Sequence, residues 1–496
     1  MHAQFALTEG ARPRVTVVHG SDRAQAERTA EALFGSDQPV SIVPDSDVLE
    51  PGVLQLRESY LNRDLILVGS IYSNRAVLML ACRRLVAANS ACPGPGRYEL
   101  RALFSPLRRG SDMLVVGVDG EEGFAAALQR LRELVETNDG ERSLPALLEF
   151  GPGKPARPKN IGGGFDRQAF AYVWEANTKA LDKAREFLKT ELERPVEQGL
   201  WGFRAAGHYS WERHYVGLLQ LAAAGVLAPD VLTRLNGRLV DLALRNTDLS
   251  SVAALNPQSE PDAYTRHPMS ALASQFLLHE YLHHRAALPP ECSAAGRQQL
   301  RVNLEVLRRK LLKLAEDHRY RMESSEGFSC METLSNLDAM YLHMGLLDRM
   351  ADAGIFRRQV SYAVAMRDNL NSDPGTNAYI ACRPGSQFTN TVGGAGIVAE
   401  AFARRAPETV WLCRHHKLPF TYLGVTMPPG MLSPPVDAQE AFPAAHTGLE
   451  LVPHDPWFFE RYVSPETHPY MVAGETVEPY HGLPGNAVSK AVFRDG

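Results

Sequence analysis

Several things are missing from this chain, and each absence removes a class of protein. It has no apolar run of about 18 residues, so nothing in it is long enough to cross a bilayer as a helix. The opening MHAQFALTEGARPRV lacks a basic stretch followed by an apolar one, the mark of an export signal. As written the chain is therefore expected in the cytoplasm, and a misassigned start would make it periplasmic or secreted. Cysteines are few (Cys82, Cys92, Cys292, Cys330, Cys382, Cys413) and none stands in a C-x-x-C pair, which excludes a disulfide framework and a thiolate zinc module. Blocks of Lys and Arg are absent and the net charge is −5, so neither nucleic acid nor a membrane surface is an expected partner. No G-x-G-x-x-G or P-loop spacing occurs either. The turns Gly69-Ser70 and Gly117-Val118-Asp119-Gly120 therefore read as plain helix caps before they read as anion sites.

What remains is ordinary globular material: 45% hydrophobic and 22% charged residues over a length that calls for more than one domain. Through residues 1–150, β-branched runs (VTVVHG, DLILVGS, YELRALF, DMLVVGV) alternate with amphipathic stretches. That alternation predicts an α/β domain with a largely parallel sheet, because strands covered on both faces read as continuous apolar runs. Residues 151–165, GPGKPARPKNIGGGF, form a Gly/Pro linker. Beyond it the period is 3.6, as in FDRQAFAYVWEANTKALDKAREFLKTELE, VLTRLNGRLVDLAL, SALASQFLLHEYLHHR and LRVNLEVLRRKLLKLAEDH. Helical hairpins packed as a bundle, solenoid or closed toroid all fit that pattern. After about residue 410 the text becomes Pro-rich and irregular. The fold class is thus a multidomain α+β protein.

Four clusters could carry chemistry. WGFRAAGHYSWERH gathers Trp201, His208, Tyr209, Trp211 and Arg213; flat rings beside hydrogen-bonding groups suit a sugar, although Trp211 and Tyr215 could equally be one core face of a helix. Arg266 and His267 stand just before Pro268 at a helix start, where a cation and an imidazole can neutralise a carboxylate and move a proton. His279-Glu280-Tyr281-Leu282-His283 is a literal H-E-x-x-H, with His279 and His283 spaced for zinc and Glu280 as base. Against it, no third ligand is marked, and Phe276 and Leu277 are in phase with a core face. Finally, His318, Arg319, Tyr320 and Arg321 precede Glu323 and Glu326; guanidinium groups can stabilise a phenolate, and cations at a helix end also simply complement its dipole.

The order of GHYSWERH, TRHP, EDHRYR with EGF, GLELVPHDPWFF and AVSKAVFRDG resembles bacterial heparinase II/III-like proteins, a polysaccharide lyase superfamily. The likeness covers about residues 165–496. It implies an (α/α) toroid over 166–480, and over 481–496 the start of a β-sandwich whose remainder is missing, with the α/β domain as an accessory. It also implies β-elimination on an anionic polysaccharide or oligosaccharide with no cofactor required. In that scheme Arg266 stands where family members carry asparagine, beside His267. The family's loop tyrosine is absent from Glu326-Gly327-Phe328, so Tyr320 or Tyr264 would replace it; Glu326 completes the catalytic set, and Trp201, His208, Tyr209, Trp211, Arg213 and Arg321 would grip the sugar. The alternatives are a zinc-dependent hydrolase at 279–283 and an inactive glycan-binding fragment.

Overall fold

The computed structural model describes residues 4–10, 12–36, 38–89, 92–153, 164–195, 212–245, 249–259, 266–317 and 340–352, with short pieces at 407, 410–411, 420–422, 425–427 and 439–440. The first part comprises β1 (Gln4–Ala6), β2 (Thr8–Glu9), β3 (Arg12–Pro13), β4 (Val15–His19), α1 (Arg23–Phe34), β5 (Ser41–Pro44), α2 (Asp45–Val48), β6 (Asp64–Val68), α3 (Arg75–Cys82), β7 (Tyr98–Leu103), β8 (Met113–Val118), α4 (Glu121–Leu134), β9 (Glu136–Asn138), β10 (Glu141–Pro145) and β11 (Leu148–Gly151). The main sheet runs β11-β7-β8-β6-β4-β5. Its β4, β5, β6 and β8 are parallel, whereas β7 is antiparallel to both β8 and β11. The expected run YELRALF is therefore a strand, inserted against the direction of its neighbours.

Strand alternation divides the sheet between two cores. Ile66, Val68, Leu114 and Val116 face α1 and α4. Leu65, Leu67, Met113 and Val115 face α3 and the helices that follow. Residues Ala76 to Leu80 of α3 are all buried, as suits a helix covered on every side.

The second part contains α5 (Phe165–Glu175), α6 (Thr178–Glu193), α7 (Glu212–Ala223), α8 (Pro229–Leu244), α9 (Leu249–Leu255), α10 (Arg266–His284), α11 (Ala294–Asp317) and α12 (Leu347–Asp352). The long amphipathic stretch after the linker breaks in two at Ala176, which takes a left-handed φ of 51°, and Asn177 then caps α6 through the Ala180 N–H. Within the Pro-rich text, β12 (Phe420–Tyr422) and β13 (Val425–Met427) pair antiparallel, which corrects the expectation of irregular chain there. Residues 481–496 lie outside the described residues.

The helices stand on the α/β layer by their C-terminal ends. Arg101 Nη2 donates to Val173 O in the last turn of α5 at 2.6 Å. Phe104 N–H donates to Ala223 O at the end of α7 at 2.7 Å, and Arg109 N–H to His284 O at the end of α10 at 2.8 Å. These carbonyls have no intrahelical partner, and leaving one buried and unpaired would cost about 1–3 kcal/mol. Neighbours α5, α7 and α10 consequently run side by side in the same direction. Behind them α6 and α8 are also parallel: Arg185 reaches Val226 O, Arg234 reaches Leu192 O and Arg238 reaches Arg194 O. The result is two layers of helical hairpins.

β11 ends at Gly151 and α5 begins at Phe165, while linker residues 154–163 lie outside the described residues. The apolar core does not stop at that boundary: it runs from Leu67 and Val115 through α3 to Phe170, Leu219, Leu277 and Leu346. At its centre lies Glu99, fully buried, whose Oε2 accepts from Ala87 N–H at 3.0 Å and Ala88 N–H at 2.9 Å. Its Oε1 accepts from Arg101 Nε, the same guanidinium that holds α5. Sheet, loop and helix are joined through one ion pair.

Candidate functional site

Most of the residues singled out in the sequence fall outside the described residues: Trp201, His208, Tyr209, Trp211, Tyr264, Tyr320, Arg321 and Glu326. For Arg213, Arg266 and His267 the backbone is described and the side chains are not. Arg213 stands in the first turn of α7, and Arg266 and His267 are the first two residues of α10, with Pro268 in the first turn as its fixed φ favours. Since α7 and α10 are neighbours and both point their C-termini at the α/β layer, their starts face away from it. Arg213 and the pair Arg266-His267 thus stand, by their backbone, at the same end of one helical layer.

The H-E-x-x-H segment lies in the last two turns of α10, but its imidazoles are not a matched pair. His279 is fully buried, with Nδ1 at 2.8 Å from Gln275 O and Nε2 at 3.1 Å from Asn303 Nδ2. The first nitrogen donates and the second accepts, so no lone pair is left for a metal. Burial also lowers its pKa to about 4, which keeps the ring neutral. His283 is exposed and meets His284 edge to face. Among the described residues, no three His, Cys, Asp or Glu side chains come together as a metal site.

Glu280, cast in that motif as a free base, is instead paired with His343 Nε2. Burial pushes the carboxyl pKa up, but His343, Arg83 and His284 outweigh it and hold the value at about 2. His343 is pushed down by burial against the pull of Glu280, and Phe276 packs against its ring edge-on. Around the pair lie Arg83 and Arg285, with Leu85, Pro106, Leu107 and Leu219 closing a cavity of about 20 Å³. That is room for one water and not for a sugar ring. Both guanidiniums are spent on carbonyls: Arg83 on Leu54 O and Met79 O, Arg285 on Ser105 O and Leu219 O. A carboxylate–imidazole pair can pass a proton to a water, yet the arrangement mainly locks α10 and residues 340–352 to the α/β layer. Leu54 N–H to Gly345 O at 2.8 Å and the ion pair of Arg75 with Asp348 continue that lock. His343, Arg83 and Arg285 escaped the sequence reading because their partners are distant in the chain and no local spacing marks them.

The crevice at the carboxyl ends of β4 and β6, where the strand order reverses, is the usual ligand position in an open α/β sheet. Here it is filled. Asn74 Nδ2 donates to Val18 O at 3.1 Å and Val68 O at 2.9 Å, tying the two strands together, while its Oδ1 caps Ala76 N–H and Val77 N–H. Ser70 N–H is taken by Ser73 Oγ. At the other turn, Glu121 and Glu122 occupy the first turn of α4, where they would repel an anion. Gly120 is the N-cap of α4, whereas α3 is capped by Asn74, four residues beyond Ser70. No helix among the described residues is long and apolar enough to cross a membrane.

No protein-family model matches the chain, and no curated protein and no solved structure is significantly similar to it.

Proposed function

We propose that the chain is a polysaccharide lyase of the heparinase II/III-like kind, acting by β-elimination on glycans that contain uronic acid, with its helical part curled as an (α/α) toroid. The observation that carries the reading is the shared direction of α5, α7 and α10, which brings the starts of α7 and α10 to one end of the layer. Arg213, Arg266 and His267 belong to those starts. Two parallel layers of hairpins are also what a toroid would be built from.

Chemistry follows from the residue types. A carboxylate beside C5 resists loss of the C5 proton until its charge is neutralised. Arg266 supplies a guanidinium at the first residue of α10, where the positive end of the helix dipole adds to it. His267 or Tyr320 takes the C5 proton; its electrons form the C4–C5 double bond, the C4–O4 bond breaks, and O4 leaves with a proton from an acid such as Glu326. Aromatic residues Trp201, Tyr209 and Trp211, with His208, Arg213 and Arg321, would bind the flanking sugars.

Digesting a panel of uronate polymers with the full chain tests this, because each cleavage creates an unsaturated uronide that absorbs in the ultraviolet. Cleavage is expected, with Arg266→Ala lowering kcat by about 10²–10³ as for loss of an oxyanion-stabilising group. Silence of the wild-type chain across the panel would refute the lyase. Binding without cleavage would replace it with a glycan-binding protein.

A further inference from the structure

We infer that the surface where the last turn of α10, one side of α11 and the Arg108-Arg109 turn meet is a second binding site for anionic polysaccharide. It lies at the opposite end of α10 from Arg266, about 27 Å away along a helix of this length. Six residues make it: Arg108, Arg109, His283, His284, Arg301 and Arg308. The hydrogen bond of Arg109 N–H to His284 O brings the turn against α10. That of Asn303 to His279 fixes α11 alongside, and Arg301 and Arg308, seven residues apart, share a side of α11 about 10 Å long.

The charges on this surface are not consumed by the fold. Arg109 and Arg308 are exposed and have no carboxylate partner among the described residues. Among the described residues Arg108 pairs with Glu58, whose side chain is largely exposed, and Arg301 is 4.0 Å from Glu305. Burial lowers the pKa of His283, and Arg301 and Arg108 lower it further; His284 is likewise lowered by burial first, with His283, Arg108 and Arg308 adding to it and Glu280 opposing. Four arginines against the carboxylates of Glu58 and Glu305 make the local field positive on a chain whose net charge is −5. Cations at a helix C-terminus often do no more than complement its dipole. That account reaches only the end of α10, whereas Arg301 and Arg308 stand on a different helix away from its end.

The ligand class follows from how the charges are spaced. Duplex nucleic acid presents a phosphate about every 1.7 Å and needs a broad, unbroken basic stripe. Here Glu58 and Glu305 are interleaved with the cations, and the rest of the protein is acidic. Such a patch fits a polymer with one or two anionic groups per sugar, and the crossed rings of His283 and His284 offer flat faces to its C–H surface. The identity of the polyanion as a glycan rests on the proposed function; the site itself rests on the charges.

Calorimetric titration of the full chain with a heparin dodecasaccharide in about 0.15 M salt tests it. Wild-type binding is expected, weakened at least tenfold by Arg301→Ala with Arg308→Ala and more by Arg308→Glu, while the thermal midpoint stays unchanged. Binding that these changes leave intact, or no binding by the wild type, would overturn the site. Equal displacement by a duplex DNA of matched charge would overturn the ligand class. Failure of the lyase reading shows up separately, as charge-dependent binding with no unsaturated product.

Discussion

Removing the charge of Glu99 alone should be among the most damaging single changes in the α/β layer. Its carboxylate is wholly buried and accepts three hydrogen bonds, from Ala87 N–H, Ala88 N–H and Arg101 Nε. In Glu99→Gln the amide oxygen can keep the two backbone donors, but its NH₂ group then faces a guanidinium that only donates. Arg101, 3% exposed, is left as an unpaired buried cation. Breaking a buried pair in this way costs about 3–5 kcal/mol. Arg101→Met should cost about as much, since it strands the anion and also frees Val173 O at the end of α5. With both changes together the charges vanish, and what remains is mainly the lost partner of Val173 O, about 1–3 kcal/mol. Urea titrations followed by circular dichroism would measure all three variants against the wild type. The double variant should be more stable than either single one, a coupling of several kcal/mol. Single variants within about 1 kcal/mol of the wild type, or a double variant that equals their sum, would refute the account.

Four further outcomes are expected. Glu280 has its pKa held at about 2 against an ordinary 4.5, so its pairing stabilises the fold above pH 4.5 and is lost as pH falls towards 2; Glu280→Gln should flatten that limb of an acid titration. His279 refuses a proton until about pH 4 where the unfolded chain accepts one near 6.5, so stability falls with pH across that window, and His279→Gln should remove the slope while costing about 1–3 kcal/mol at pH 7 for the orphaned Asn303 contact. Added zinc should leave the thermal midpoint in place, since both ring nitrogens of His279 are spent; a rise of several degrees would revive the metal reading. In Gly20→Ala the new Cβ would lie 1.5 Å from Ser73 O, backbone that cannot swing aside, so loss of soluble protein or a sharply lower midpoint is expected.

How much of this could be read from the sequence depended on the range of the forces involved. Strands β4, β6 and β8 were visible because a strand covered on both faces must be apolar throughout, and each is buried or nearly so along its length. The short β5 and β11 gave no such run, and β12 and β13 were masked by the prolines around them. Helices α8, α10 and α11 announced themselves by period, whereas the break between α5 and α6 did not, because hydrophobic phase continues across Ala176 and only the Asn177 cap betrays it. The linker at 151–165 suggested independent domains, yet α3 carried a contrary signal: RAVLMLAC is apolar on every side, which is reasonable only if a second body covers the face turned from the sheet.

The site raises a harder version of the same problem. H-E-x-x-H is a local pattern, and local spacing does put His279 and His283 one turn apart; it cannot say that Asn303 and Gln275 have already claimed both nitrogens of the first ring. Nor can it say that Glu280 is bound to an imidazole 63 residues onward, in a segment whose neighbours are all apolar. A motif specifies which atoms could meet a ligand, and the fold decides whether their lone pairs are still free when it arrives. The same test applies to Arg266 and His267. Their backbone opens α10 at the end away from the α/β layer, opposite the end where His279 and Glu280 are engaged. The proposed lyase chemistry draws on the first turn of α10, whereas the lock occupies its last two turns.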